Sequence, residues 1–264
     1  MNSEPWLSLE EVINNQLKLQ VDISYSRHYS FMLKHGLPVC KNVLDLGTGN
    51  GYFLSRAASN NPEIKFYGID NKPHMISAAM KLDSGNVEWK TGDIHDFTTL
   101  PSFTHIDGIL MRYFVLHLAD VMEILTRIGR NVKKGTVLWI FDLDLNQFVC
   151  EPSQKAFDSI RNLVQRFCDH YSIDSKAASL LPDLLRDAGF DLLEKEVEPF
   201  SNRKVEKELF QKFLSQEVYL YSNFLGESQD TSEMESIKNF IRHQAISEDY
   251  MVQYGIVMIA AQKN

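Results

Sequence analysis

The segment Asp45–Gly51 reads DLGTGNG and lies between a short apolar run and an amphipathic stretch. Glycines at a strand-to-helix turn let the backbone come close to a ligand, because no Cβ stands in the way. Asp45 lies two residues before Gly47 and favours a ligand that carries an ammonium or a sulfonium, whereas a pyrophosphate would be repelled. Tyr52 stands where the dinucleotide fingerprint has its third glycine, so that fingerprint is incomplete. A glycine-rich turn without a ligand is the alternative.

A second acid, Asp70, closes the next candidate strand. It follows Gly47 by 23 residues, close to the spacing of about 20 at which an acid meets the hydroxyls of a nucleoside ribose. Two free hydroxyls suit a carboxylate acceptor, while a 2′-phosphate would be repelled. The alternative is that Asp70 caps the helix expected to begin at Pro73.

A third acid, Asp93, follows the third candidate strand in Thr91-Gly92-Asp93-Ile94. Its carboxylate can accept a hydrogen bond from an exocyclic amine while Ile94 packs against a base. Asp93, His95 and Asp96 also resemble a small metal cluster. Loop polarity explains them as well, and no further ligand group stands nearby in sequence, so we predict no metal.

Short apolar runs alternate with amphipathic stretches along the chain, which predicts an α/β fold. The predicted strands are Val43–Leu46, Ile64–Ile69, Val87–Lys90, Ile106–Met111, Thr136–Phe141, Phe190–Val197 and Tyr254–Ala261. The predicted helices are Leu9–Leu17, Tyr25–Leu33, Tyr52–Ser59, Pro73–Leu82, Val121–Lys134, Phe157–Tyr171, Leu180–Ala188, Val205–Phe224 and Met234–Ala245. Capping-box spacing from Ser8 to Glu11 marks the start of the first helix. These elements predict a Rossmann-like, seven-stranded, mostly parallel sheet with helices on both faces.

Four segments stand in a characteristic order along the chain: Val43–Gly51, Ile69-Asp70, Gly92-Asp93-Ile94 and Asp107–Arg112. Together they resemble the class I S-adenosylmethionine-dependent methyltransferases, in particular the small-molecule, O-methyltransferase-like group. The resemblance implies one domain over residues 1–264. Within it, residues 40–145 form the cofactor-binding core, residues 1–38 an N-terminal helical cap, and residues 200–248 a helical insertion that covers the substrate site as a lid.

The resemblance also implies S-adenosylmethionine as cofactor. In that family the glycines of the turn flank the methionine end of the cofactor. The acid after the second strand binds the ribose, and the acid–isoleucine pair after the third strand binds the adenine. Met111 would lie beside the methyl-donating sulfur. The implied cofactor-binding residues are Asp45, Gly47, Thr48, Gly49, Asp70, Asn71, Asp93, Ile94 and Met111.

The segment RYFVLHLAD after the fourth strand is similar to the one that carries the catalytic histidine of small-molecule O-methyltransferases. That histidine corresponds to His117, which would remove the proton of a hydroxyl acceptor. The family commonly has an aromatic residue where this chain has Ala119. The alternative is a histidine that hydrogen-bonds to backbone near the pocket.

Aromatic and polar side chains from several helices are candidates for the walls of an acceptor site. Ordinary core packing is the alternative for each of them. The predicted substrate residues are Tyr25, His28, Tyr29, Arg112 and Tyr113, with a second wall formed by Phe213, Tyr219, Tyr221 and Phe224.

The composition fits a globular protein with a sizeable core: 264 residues, 44% hydrophobic, 23% charged. The net charge of −8 argues against nucleic acid as principal partner. No apolar run is long enough for a membrane span, and the N-terminus does not resemble an export signal. The three scattered cysteines, Cys40, Cys150 and Cys168, suggest neither disulfides nor zinc and fit a cytoplasmic protein.

The leading hypothesis is therefore methyl transfer from S-adenosylmethionine to a small molecule, most naturally O-methylation of a hydroxylated secondary metabolite. One alternative is a non-catalytic S-adenosylmethionine-binding partner or regulator. Another is an NAD-dependent oxidoreductase, which Asp45 and Tyr52 disfavour. The acceptor, the methylated atom and the oligomeric state stay open.

Overall fold

Seven strands form the sheet of the protein. A computed structural model describes residues 8–82, 85–174 and 177–264. The prediction about an export signal concerns the first seven residues, which lie outside the described ones. The strands are β1 (Asn42–Leu46), β2 (Lys65–Asp70), β3 (Val87–Thr91), β4 (Gly108–Arg112), β5 (Val137–Glu151), β6 (Phe190–Ser201) and β7 (Met251–Lys263).

Eight α-helices accompany these strands in the described ranges. They are α1 (Leu9–Lys34), α2 (Tyr52–Ser59), α3 (Pro73–Ala79), α4 (Val121–Asn131), α5 (Lys155–His170), α6 (Ala177–Asp187), α7 (Lys207–Phe224) and α8 (Ser232–Asn239). A π-helical turn, Phe240–Gln244, follows α8. None of the helices described is long and apolar enough to cross a membrane.

The strand order is β3-β2-β1-β4-β5-β7-β6. The pairs β1–β2, β2–β3, β1–β4 and β4–β5 are all parallel. The predicted Rossmann-like, mostly parallel α/β fold is confirmed. The strand order reverses between β1 and β4, and ligands of such sheets bind outside the carboxyl ends of the strands at this switch point. The fold thus places the ends of β1, β2 and β4 side by side.

The central strands are apolar on both faces. Leu44 in β1, Leu110 in β4 and Ile140 in β5 have no exposed surface, as expected for parallel strands that are covered on both sides. The helices contribute single apolar stripes, such as the fully buried Ile124 and Ile128 of α4. This core holds the strand ends rigidly.

The first helix differs from the prediction. Two N-terminal helices were expected, and the structure has one continuous helix, α1. Its sequence contains neither glycine nor proline, so nothing in the backbone interrupts it before Gly36. The predicted capping box is confirmed, because the Ser8 amide donates to the Glu11 carboxylate at 2.7 Å and the Glu11 amide donates to Ser8 Oγ at 3.2 Å.

The predicted strand Thr136–Phe141 was too short. β5 continues to Glu151, since residues 142–151 carry strand-compatible alternation that includes the buried Phe148 and Cys150. α3 ends at Ala79, three residues before its predicted end.

The chain divides into two compact units, and the division does not follow the predicted boundary at residue 38. The sheet unit comprises residues 24–146, 173–199 and 255–264, and the helical unit comprises residues up to 23, 147–172 and 200–254. α1 therefore contributes to both. The helices predicted within residues 200–248 are present as α7 and α8, while their covering of a substrate site stays a prediction.

The helical unit has its own polar core. Glu217 of α7 is 2% exposed and accepts a hydrogen bond from the Tyr254 hydroxyl at 2.8 Å. Burial raises the pKa of Glu217 to about 7. Tyr221 packs on Phe167 and Phe213 packs edge-on against Tyr254, so these rings of the predicted second wall serve the core of their own unit.

Candidate active site

The predicted glycine-rich turn follows β1. Gly47, Gly49 and Gly51 have φ angles of 75°, 58° and 72°, a region that L-residues with side chains rarely adopt. The amides of Gly47 and Thr48 both donate to the carbonyl of Ile69, at 2.9 Å each. The turn is thereby tied to the end of β2.

Asp45 lies beneath this turn and is 3% exposed. Its Oδ2 accepts the Thr48 hydroxyl at 2.7 Å, while its buried Oδ1 has no hydrogen-bond partner among the described residues. Burial raises the pKa of Asp45 to about 7, against the opposing effects of Thr48 and Arg112. A buried acceptor without a partner is costly, so this oxygen suits a ligand that brings a hydrogen-bond donor.

Asp70 also contacts the glycine turn. Its Oδ2 accepts the Gly49 amide at 2.9 Å, and its Oδ1 accepts the Lys72 amide at 2.9 Å. Lys72, not Asp70, occupies the N-cap position of α3. The carboxylate therefore braces the turn, and it is partly exposed to solvent at the end of β2. Asn71, the next residue, is exposed.

The residues predicted to contact the adenine and the sulfur of the cofactor differ in their exposure to solvent. Asp93 is partly exposed and its Oδ1 accepts the His95 amide at 2.9 Å. Ile94 and Met111 both pack in the hydrophobic core, at 7% and 0% exposure. What Met111 can offer a ligand is its main chain. In the part of the chain that the structure describes, no group of three His, Cys, Asp or Glu residues could hold a metal ion.

Arg112, predicted to face the acceptor, ends β4 and lies near Asp45. The two side chains attract each other, so Asp45 raises the pKa of Arg112 and Arg112 lowers the pKa of Asp45. Arg112 Nε donates to His28 Nδ1 at 3.3 Å, and Nη2 donates to Ser24 Oγ at 3.4 Å. Both contacts are long for charge-assisted hydrogen bonds.

His28 is a core residue. It is 1% exposed and its ring stacks on Phe141 with centroids 4.2 Å apart and planes at 2°. Burial, with a contribution from the charge of Arg112, holds the pKa of His28 well below the usual value, so the ring is neutral. Its Nε2 has no hydrogen-bond partner in the described ranges.

Tyr25 and Tyr29, also predicted to face the acceptor, join α1 to α2. Their rings stack at 5.3 Å, and their hydroxyls accept hydrogen bonds from Asn60 and Asn61 at 2.7 and 2.9 Å. These asparagines follow the end of α2 that is remote from the glycine turn. The contacts are packing contacts, and they give the predicted acceptor role no support.

The residues 113–117 form a tight turn after β4, which we call the 113–117 turn. Tyr113 is partly exposed and has φ 51°, an unusual conformation for a non-glycine residue. The ring of Phe114 covers Gly47 so closely that a Cβ built on Gly47 would lie 2.3 Å from Phe114 Cδ2. The turn thus packs directly on the glycine turn, a contact that the sequence pattern does not reveal.

His117 ends the turn, in a short 3-10 helix Val115–His117. Its side chain is exposed. Neighbouring atoms still remove part of its hydration, and together with the positive charge of Lys72 they lower the pKa of His117. Lys72, which sequence reasoning did not select, follows Asp70 at the end of β2. His117 therefore carries an exposed imidazole, with a lowered pKa, at the carboxyl edge of the sheet.

The fold and this edge define a class of protein. A glycine turn lies at the switch point, beside a buried acid with an unused oxygen and a second acid at the end of β2. These features suit a nucleoside that carries a positive charge. This arrangement is that of the S-adenosylmethionine-binding α/β methyltransferases.

Comparison with known proteins gives the family. A family model described as "Methyltransferase domain" matches residues 40–174, just over half of the chain. The chain belongs to this methyltransferase family, and S-adenosylmethionine is the cofactor of that family.

Individual relatives are distant. The chain is 25% identical over 119 residues to a tRNA (guanine-N(7)-)-methyltransferase of Halalkalibacterium halodurans, a match that covers 44% of this chain and 51% of the relative. The chain thus spans about half the length of the curated relative it matches.

Two solved structures share the fold. Phosphoethanolamine N-methyltransferase 2 of Haemonchus contortus, in complex with S-adenosyl-L-methionine, has a TM-score of 0.60 and 16% identity, covering 99% of this chain and 61% of that one. A geranyl diphosphate methyltransferase has a TM-score of 0.54 and 14% identity, covering 90% and 79%. The acceptors in these names differ, so likeness alone does not identify the acceptor.

The residues of the site fit S-adenosylmethionine. The buried Oδ1 of Asp45, which has no hydrogen-bond partner among the described residues, matches the α-ammonium of the cofactor. The partly exposed carboxylate of Asp70 has further lone pairs for ribose hydroxyls.

Proposed function

We propose that this methyltransferase methylates a hydroxyl group of a small molecule in the crevice at the carboxyl ends of β1, β2 and β4. The observation that carries the proposal is His117, an exposed histidine with a lowered pKa at the crevice edge. A hydroxyl nucleophile has to lose a proton when it attacks, and a neutral imidazole is a suitable acceptor for that proton.

The donor side of the crevice binds the cofactor. Asp45 receives the ammonium, residues 47–49 line the methionine end, and the guanidinium of Arg112 faces the carboxylate of the same zwitterion. Asp70 and Asn71 take the ribose, and Asp93 with Ile94 the adenine. The cofactor supplies a methyl group that its positively charged sulfur already activates. The protein therefore has to orient the acceptor in line with that group and exclude water.

On the acceptor side, Tyr113 and His117 project from the 113–117 turn. His117 Nδ1 or Nε2 accepts the proton of the hydroxyl as the oxygen attacks. Its lowered pKa keeps the imidazole neutral at pH 7, so it is ready to act without a preceding deprotonation.

A small acceptor is favoured over tRNA by charge. The chain carries −8 at pH 7, and polyanions usually bind to basic surfaces. The two structural neighbours are named for small acceptors, phosphoethanolamine and geranyl diphosphate. The tRNA relative makes nucleic acid the competing class that the experiment has to exclude.

The acceptor class is tested by transfer of a radiolabelled methyl group. The enzyme is incubated with labelled S-adenosylmethionine and, in separate arms, with the small-molecule fraction and the total tRNA of the host. We expect label in the small-molecule fraction and its release by reagents that cleave methyl ethers. Label in tRNA, or in a base-stable N-methyl product, contradicts the proposal.

The role of His117 is tested by His117→Gln with the acceptor found in that screen. We expect kcat to fall by about 100- to 10,000-fold, the usual contribution of a general base, with cofactor affinity unchanged. His105→Gln is the matched control, because His105 is an exposed histidine in the 3-10 helix that precedes β4. A His117→Gln enzyme with a kcat like that of the control would remove His117 from the reaction.

A further inference from the structure

Asp142 of β5 is a charged side chain in an otherwise apolar run, and neither cofactor nor acceptor binding accounts for it. It is 1% exposed and is therefore as buried as the apolar residues Ile140 and Phe141 before it. Carboxylates are rarely buried so completely unless their oxygens are fully hydrogen-bonded. Its hydrogen bonds therefore indicate what it does.

The hydrogen bonds of Asp142 converge from one segment. Its Oδ2 accepts the amide of Leu116 at 3.1 Å, and the amides of Val115 and Phe114 lie near enough to favour the charged carboxylate and lower the pKa of Asp142. Oδ1 accepts the amide of Leu143 on its own strand at 2.9 Å. One amide of the 113–117 turn is thus hydrogen-bonded to this buried carboxylate, and the two amides before it stabilise its charge.

This geometry explains how the turn keeps its conformation. Tyr113 has a positive φ, and its amide donates to the carbonyl of Phe141 at 2.7 Å. Consecutive residues of β5, Phe141 and Asp142, therefore bind the amides of Tyr113 and Leu116, near the two ends of the turn. Amides at the start of a short 3-10 helix have no partner within the helix, so an anion at this place stabilises it.

The 113–117 turn also positions two side chains of the crevice. The Phe114 ring covers Gly47, and His117 follows Leu116 directly. A shift of the three amides would move both. Small displacements of a catalytic group lower the rate strongly, whereas a loss of packing alone lowers stability.

We propose that Asp142 is a positioning residue that fixes the 113–117 turn and thereby sets the place of the His117 imidazole relative to the methyl donor. The predicted effect on the rate rests on the proposed function, whereas the predicted effect on the conformation of the 113–117 turn does not depend on it. Burial raises the pKa of Asp142 to about 7, and the hydrogen bonds from the Leu143 and Leu116 amides act against this rise by favouring the ionised carboxylate.

The test begins with Asp142→Asn, in which one of the two oxygens is replaced by a donor. We expect the Leu116 amide, whose hydrogen-bond acceptor is altered, to exchange hydrogen about tenfold faster. The amides of Phe114 and Val115 should also exchange faster, because the charge that stabilises them is lost. We also expect the NMR-detected pKa of His117 to move back towards its ordinary value. Asp144→Asn is the matched control on the same strand, because Asp144 bonds only locally, to the amide and side chain of Asn146.

Exchange rates and a His117 titration equal to those of wild type in Asp142→Asn would overturn the proposal. If the variant does not fold, the amide hydrogen-exchange rates of the wild-type protein test the proposal. The three amides should then be protected relative to the exposed Ala119, and exchange as fast as that of Ala119 would overturn it equally.

Kinetics supply the second arm. With the acceptor identified above, Asp142→Asn should lower kcat by about tenfold or more and leave the dissociation constant of S-adenosylhomocysteine unchanged. In a His117→Gln background Asp142→Asn should cause no further loss, because residues that act through one group are not additive. Fully additive losses would overturn the proposal. Full activity of His117→Gln alone would instead contradict the proposed function, and the exchange data would still decide the role of Asp142.

Discussion

The two turns that meet at the crevice are built on different principles. The turn at residues 45–51 takes its shape from glycines, whose positive φ angles cost little, and from main-chain bonds to β2. The 113–117 turn adopts a positive φ at Tyr113, a residue with a large side chain, and holds it with a buried carboxylate from β5. The first turn owes its positive φ angles to its own glycines, whereas the second is held by a carboxylate 26 residues further along the chain than the amide it binds.

The largest expected effect concerns the contact between the two turns. Gly47→Ala adds a Cβ at a φ of 75° and within 2.3 Å of Phe114 Cδ2. The strain and the displaced ring together should cost about 3 kcal/mol and weaken S-adenosylhomocysteine binding by about 100-fold, measured by calorimetry.

Gly135→Ala is the matched control for that variant. Gly135 has φ 87°, but an added Cβ meets no described atom within 4 Å. It should lower the melting temperature through backbone strain and leave binding unchanged. If the two variants bound the ligand equally well, the close approach at Gly47 would have no functional meaning.

A smaller effect is expected on the β2 side of the comparison. Asp70→Ala removes the acceptor of the ribose hydroxyls and of the Gly49 amide, and we expect binding of S-adenosylhomocysteine to weaken by about 1–3 kcal/mol. Asp96→Ala is the control, because Asp96 is an exposed acid that caps a 3-10 helix through Thr98. An unchanged affinity in Asp70→Ala would place the ribose elsewhere.

The smallest effect is a pH dependence on the β1 side. The raised pKa of Asp45, about 7, means that its carboxyl is largely neutral below that pH and ionised above it. An ammonium ligand favours the ionised form, so the affinity for S-adenosylhomocysteine should rise about tenfold between pH 6 and pH 8 and then level off. In the ligand-free protein the same shift makes stability fall as pH rises from the ordinary carboxyl range through 7.

Asp45→Asn should remove most of that slope. Calorimetric titrations of wild type and variant across the pH range measure it. An equal slope in the variant would assign the pH dependence to another group and would argue against contact between Asp45 and the ammonium.

The sequence predicted the local features of the molecule well. The glycine turn, the acid at the end of β2 and helices such as Tyr52–Ser59 depend on the residues within each segment, and the structure has them where they were expected. The first helix was split in two in the prediction, because a weak apolar pattern around residues 18–24 hides the continuity that the backbone allows.

Features that depend on long-range contacts were not predictable. Tyr25 and Tyr29 have the composition of a ligand wall but bond to the two asparagines that follow α2. Met111 lies one residue before the end of β4 but packs inward. The sequence contains one sign that Asp142 is unusual, because it is a charged residue within an apolar run. That sign does not identify its hydrogen-bonding partner. Its link to the 113–117 turn follows only from the pairing of β4 with β5.

The central claim is that the strand ends of β1 and β2 bind S-adenosylmethionine beside the 113–117 turn. A crystal structure with S-adenosylhomocysteine tests it most directly. We predict the amino acid end of the ligand within hydrogen-bonding distance of Asp45, the ribose hydroxyls on Asp70, and the sulfur on the side of the crevice that carries His117. A ligand bound anywhere else, with Asp45 Oδ1 still unpartnered, would contradict the account.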